Sequence, residues 1–186
     1  GPEISDQRVA TLREVLATVR GRAKLVVELK YYGHDVNLEQ RVIDIIEAEQ
    51  MAADVVLMSL KLPAVQKAKA LRPDWTVGLL AATAVGDLTR LDVDFLAVSA
   101  GIASRGFIRR ARRAGKPVFV WTVNDTVSLS EWISHGVAGV ITDEPALARQ
   151  VLEQLAGMTT AERLLLSAAS WLGKGEAPGV YRDESP

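Results

Sequence analysis

The chain has 186 residues, 48% of them hydrophobic, and 22 Lys and Arg stand against 23 Asp and Glu for a formal net charge of -1. Near-neutral charge excludes the polyanion-binding surface that nucleic acid requires, and the absence of cysteine excludes disulfides and thiolate metal sites while leaving the compartment open. With no run approaching the ~20 apolar residues of a membrane-spanning helix and no signal segment at the start, the piece is expected to be soluble and to form one domain rather than two.

Short β-branched apolar runs alternate with longer amphipathic stretches, as in βα units around a parallel sheet. Thr11 and Glu14 have capping-box spacing and open a helix toward Arg20, which Gly21 stops. Lys24 to Lys30 reads as the first strand; Asn37 with Gln40 opens a helix through Glu49, and Asp54 to Leu60 is the second strand. Pro63 suits the first turn of a helix to Leu71, and Thr76 to Ala81 is the third strand. Between Thr83 and Asp94, Gly86-Asp87 suggests a loop leading into a short helix at most. Phe95 to Ser99 is the fourth strand, and Ser104 caps a basic helix holding Arg109, Arg110, Arg112 and Arg113 that ends at Gly115. Pro117 to Asn124 is the fifth strand, Thr126 or Ser128 precedes a helix ending before Gly136, Gly139 to Asp143 is the sixth strand, and Pro145 begins a helix to about Leu155, with Asp143 its expected N-cap.

The pattern changes after Gly157. Residues 158–172 read as an amphipathic helix begun by Thr159 with Glu162, its stripe being Leu164, Leu165, Ala168, Trp171 and Leu172, while residues 173–186 are Gly-, Pro- and charge-rich and are expected to be a disordered tail. Residues 1–157 form the main domain. Six strands fit an open doubly wound sheet or a barrel with about two strands missing, and Tyr31-Tyr32-Gly33-His34-Asp35 is not the Gly-rich loop that the first would need. The expectation is therefore α/β, a partial TIM-type (β/α) barrel lacking its first two strands. The chain opens on Gly1-Pro2 rather than Met, by a protease scar or an internal native start, and is expected to begin inside a longer protein.

Strand period two places Val26, Glu28 and Lys30 on one face and Leu25, Val27 and Leu29 on the other. The apolar face should meet helices, which turns a carboxylate and an ammonium inward at the strand's carboxyl end, where barrels build their sites. Such a pair suits a hard divalent cation and a phosphate oxygen. An internal ion pair or a solvated edge strand is the alternative.

The run Glu28-Leu29-Lys30-Tyr31-Tyr32-Gly33-His34-Asp35 resembles the "ELK" strand and loop of the glycerophosphodiester phosphodiesterases. Further likenesses follow in order at Met58-Ser59-Leu60, Arg72 to Leu80, Asp94 to Val98, Phe107 to Ala111, Gly115 to Asp125 and Gly136 to Asp143, so the resemblance spans roughly Thr11 to Leu155. It implies metal-dependent hydrolysis of a glycerophosphodiester substrate to an alcohol and glycerol 3-phosphate. Glu28 then corresponds to one of three carboxylate ligands of a divalent cation (Mg2+ or Ca2+), Lys30 to the lysine that neutralises the phosphate, and Trp121 to the apolar wall for the glycerol moiety. The wording around Tyr31 to Asp35 is nearest to members with a membrane-embedded segment before the barrel, so the full-length protein is expected to be membrane-anchored.

The family's opening His-Arg pair, the two acids of its second strand and its second histidine have no counterparts here. The chain's two histidines are His34, expected to be a loop residue, and His135, expected at a helix C-terminus. Ser99 stands where the family has an asparagine, which reduces the substrate wall. The fragment alone is expected to be inactive and to need a missing N-terminal barrel segment; the alternative is a non-catalytic regulatory or interaction module derived from the same barrel. Open edges at the first and last strands are expected to drive homo-oligomer formation. The arginine cluster of the basic helix is expected to be a solvated face rather than a membrane contact.

Overall fold

Thr11 Oγ1 accepts from the Glu14 N–H at 3.4 Å, and the Glu14 carboxylate accepts from the Thr11 N–H and hydroxyl at 2.8 Å each. This reciprocal cap starts α1 (Leu12–Val19), which buries Leu16. In the computed structural model, residues 8–33, 37–159 and 162 are described. His34, the helical stripe from Leu164 onward and the tail lie outside them; within them, the Thr159–Glu162 capping pair forms, with the Thr159 N–H donating to Glu162 at 2.8 Å.

All six expected strands are present, the fourth with the expected bounds and the others shortened: β1 (Leu25–Glu28), β2 (Val55–Ser59), β3 (Val77–Ala81), β4 (Phe95–Ser99), β5 (Val118–Trp121) and β6 (Gly139–Val140). They lie in one sheet in sequence order. Pairing is parallel, with Val27 opposite Leu57, Met58 opposite Gly78, Ser99 opposite Trp121 and Phe119 opposite Gly139. The fold is α/β, of the partial TIM-type (β/α)-barrel class. All five β3 residues are buried, which is why this strand reads as a continuous apolar run instead of an alternating one.

The remaining helices are α2 (Leu38–Ala48), α3 (Leu62–Leu71), α4 (Arg105–Arg113), α5 (Thr126–Ser134) and α6 (Pro145–Gly157), with 3-10 turns at Leu88–Arg90 and Ala52–Asp54. Ser104 caps α4 as expected, accepting from the Phe107 N–H at 3.2 Å. Three other caps differ from expectation. Asn37 makes no side-chain cap bond, and the Gln40 side chain donates along the helix to Asp44. Asp125, rather than Thr126 or Ser128, caps α5 by accepting from the Ser128 N–H at 2.9 Å; its carboxylate suits the positive end of the helix dipole. The N-cap of α6 is Glu144, without a side-chain bond, and Asp143 is engaged elsewhere. Gly115 and Gly136, both at φ 71°, follow the ends of α4 and α5, where the left-handed region favours glycine.

The chain divides into two compact units. One comprises residues up to Leu80 with Asp92–Phe95, and its core holds Leu16, Leu29, Ile43, Ile46, Leu57, Val65 and Val77. Within it Asp94 is clasped: its carboxylate accepts from the Val77 N–H at 2.8 Å and pairs with Lys69 at 2.8 Å. The other comprises Ala81–Leu91 and residues from Leu96 onward, with Leu96, Val98, Phe107, Ile108, Val120, Leu129 and Val151 in its core. No helix among the described residues is long and apolar enough to cross a membrane.

Candidate functional site

In the first unit, Leu29 is buried at 2% exposure while Val26 on the alternate face is 52% exposed, so β1 turns its apolar face to the helices as strand periodicity requires. Glu28 ends β1, and its carboxylate lies 3.9 Å from the Lys30 ammonium. The ion pair that pattern alone left as an alternative is thus present. Both side chains reach water, at 27% and 41% exposure.

The backbone leaving β1 is held on both sides of Lys30. The buried Ser59 hydroxyl donates to the Leu29 carbonyl at 2.8 Å and accepts from the Lys61 N–H at 3.1 Å, tying the exits of β1 and β2. On the other side, the Tyr31 hydroxyl donates to Glu39 of α2, whose carboxylate also pairs with Lys67 of α3 at 2.9 Å. Glu39 is buried. Burial alone raises its pKa, but the Tyr31 and Lys67 contacts outweigh this and leave it below the ordinary carboxylate value. Sequence reasoning missed Glu39, yet the signal was there, since Glu39 precedes Ile43 and Ile46 by four and seven residues and so shares their buried face.

In the second unit, Trp121 ends β5 beside its partner Ser99, the last residue of β4. Its indole N–H donates to the Ala97 carbonyl at 3.0 Å, which orients the ring, and the Trp121–Thr122 peptide is cis. Phe119 and Trp121 are half-buried while Val118 and Val120 are buried. The Ser99 hydroxyl donates to the Ala82 carbonyl at 2.8 Å. Ala82 opens a cavity of about 520 Å³ between the loop after β3 and the start of α4, lined by Leu88, Ile102 and Phe107 with Asp87 and Arg110. Asn124, also missed, joins the exits of β5 and β6. Its Oδ1 accepts from the Asp143 N–H at 2.9 Å and its Nδ2 donates to the Asp143 carboxylate at 2.8 Å.

Arg109, Arg110, Arg112 and Arg113 of α4 are exposed, as expected of a solvated face, and His135 ends α5 as expected. Arg112 donates to the Gly136 carbonyl at 2.8 Å, and Arg105 donates to Nε2 of His135, the C-cap of α5, at 2.8 Å.

Residues 3–147 match the Glycerophosphoryl diester phosphodiesterase family. The chain belongs to this family. The match covers Glu28, Lys30 and Trp121, and families of this kind are typically metal-dependent. YhdW of Bacillus subtilis (strain 168), assigned by name to the glycerophosphodiester phosphodiesterases, is 24% identical over 152 residues. That alignment takes in 78% of this chain and 63% of YhdW, so the chain spans under two thirds of this relative's length. The fold is similar to a glycerophosphodiester phosphodiesterase from Parabacteroides distasonis ATCC 8503, with TM-score 0.73, 20% identity, and 83% of this chain and 71% of that one covered. It is also similar to an Oleispira antarctica phosphodiesterase solved with its product sn-glycerol-3-phosphate, with TM-score 0.74, 20% identity, and coverage of 82% and 65%.

The chemistry of the donors limits what this family member's described residues can hold. Among them no group of three or more His, Asp or Glu side chains gathers in a metal-binding arrangement. A hard divalent cation takes six or more oxygen ligands, and Glu28, one carboxylate beside an ammonium, is not a complete site. The described residues therefore do not by themselves fit a divalent cation.

Proposed function

We propose that this chain carries one side of a glycerophosphodiester hydrolase site, cleaving the diester to an alcohol and glycerol 3-phosphate in the whole protein. The observation that carries the reading is the Glu28–Lys30 pair, 3.9 Å apart and water-accessible at the carboxyl end of a barrel-class strand, in a chain matched to the family across that segment. In this reading the Lys30 ammonium contacts a non-bridging phosphate oxygen and offsets the charge that builds there as the leaving oxygen departs. The indole of Trp121, oriented through its N–H, offers its apolar face to the glycerol carbons. Glu28 would be one ligand of a divalent cation, Mg2+ or Ca2+, together with ligands from outside the described residues.

Two corollaries follow. In this reading the 186-residue chain alone does not turn over substrate, because the family's His-Arg pair, paired acids and second histidine have no counterparts in its sequence. The β1 and β6 edges, each paired on one side only within the sheet, accept a further polypeptide segment, either more of the same protein or a second copy.

The test is hydrolysis of glycerophosphodiesters by the natural protein that contains this chain. Lys30→Ala is expected to lower kcat/KM by about 100-fold or more, in the range seen when one donor to a developing oxyanion is removed, and Glu28→Ala is expected to lower activity and to raise the Mg2+ or Ca2+ concentration that the remaining activity needs. Full activity in both variants would sink the assignment and favour a binding module.

A further inference from the structure

The buried Glu39 carboxylate has no role in the proposed chemistry, yet it joins three elements of the first unit. It accepts from the Tyr31 hydroxyl, in the loop leaving β1, and pairs with Lys67 of α3 at 2.9 Å. A carboxylate removed from water is tolerated only with such partners, so its location is fixed by α2 and α3 and the phenol must come to it. Tyr31 is the residue after Lys30. The residue before Lys30, Leu29, is held by the Ser59 hydroxyl at 2.8 Å and donates its own N–H to the Met58 carbonyl at 2.8 Å. The backbone at Lys30 is thereby pinned from both neighbours, one pin coming from the sheet and the other from the helices.

We propose that Glu39 is a positioning residue: through Tyr31 it fixes the backbone at Lys30 so that the ammonium stays beside Glu28 at the strand end. The proposal rests on the reading of Lys30 as the phosphate contact. It accounts for a buried charge on the apolar stripe of α2, where an aliphatic residue in line with Ile43 and Ile46 would fill the space without desolvating a carboxylate. Lys67 holds the far side of the carboxylate, leaving one oxygen aimed at the phenol.

Tyr31→Phe keeps the ring and removes only the hydroxyl, and Glu39→Gln keeps the shape and removes the charge. In the chain as it stands, the deciding readouts are hydrogen exchange at the Leu29–Gly33 amides and the nuclear Overhauser contact between the Glu28 and Lys30 side chains. Both variants are expected to speed exchange in that segment at least tenfold and to weaken the contact, while the amides of α5 keep wild-type rates. Wild-type exchange and an intact contact in Tyr31→Phe would overturn the proposal, and that variant decides alone if Glu39→Gln fails to fold. A second arm titrates sn-glycerol 3-phosphate. If wild type and Lys30→Ala respond alike, the assignment of Lys30 to phosphate fails while the exchange arm still judges the anchoring. If only the wild type responds, Tyr31→Phe is expected to bind several-fold more weakly at a temperature where it is still fully folded, which a loss of global stability alone would not produce.

Discussion

Gly78 and Phe95 show how closely a single residue is constrained in this sheet. A Cβ on Gly78 would lie 2.2 Å from the Phe95 ring, and both residues are buried. The ring cannot swing into water without exposing its apolar area, so Gly78→Ala must displace the strand or force an off-rotamer side chain. Such overpacking typically costs ~1–3 kcal/mol, which for a chain of this size is a fall in Tm of roughly 3–10 °C. Thermal unfolding followed by circular dichroism checks this, and Phe95→Leu in the same background is expected to recover part of the loss. An unchanged Tm for the single variant would mean that the ring does not occupy that space. Site residues were legible at this scale where period two was enough, as for Glu28 and Lys30. Ser59 and Asn124 were not, because their partners Leu29 and Asp143 lie 30 and 19 residues away and act through tertiary contact, and for Glu39 the helical spacing signals burial but not its partner Tyr31.

At the level of elements, local signals placed α1 and α4 well because each cap closes within three residues, Thr11 with Glu14 and Ser104 with Phe107. The same reasoning misassigned the caps of α5 and α6. There the choice among neighbouring polar residues was settled by Asp125 outcompeting the hydroxyls and by Asn124 drawing Asp143 away. The α1 cap also titrates. Glu14 is lowered from 4.5 to about 2, chiefly by its bond from Arg8 and then by the Thr11 N–H and hydroxyl. Because the folded value is depressed, the stabilisation is present above the unfolded carboxylate value and is lost as pH falls from there toward about 2. A carboxyl titration by NMR is expected to place the Glu14 midpoint near 2, with α1 amide exchange rising below it. A midpoint near 4.5 would mean that the cap is not formed in solution.

For the whole molecule the open question is what meets the sheet's two edges. The order of strands was readable because each βα unit is local in sequence and parallel neighbours follow one another, but a partner for an edge leaves no trace in the pattern of the edge strand itself. The geometry of β1 makes the matter testable. The Leu29 N–H bonds to Met58 of β2, and in a parallel ladder alternate residues point the same way, so Val27 and Leu25 also face β2 while the N–H groups of Val26 and Glu28 point to the outer edge. Val26→Pro therefore removes a donor from the outer side without touching the β1–β2 ladder, as proline is tolerated on edge strands. If the edge recruits a second copy, as proposed, light scattering at micromolar concentration is expected to give a mass above the monomer for the 186-residue chain and a shift toward monomer for Val26→Pro. A monomeric wild-type chain would show that this edge does not drive self-association.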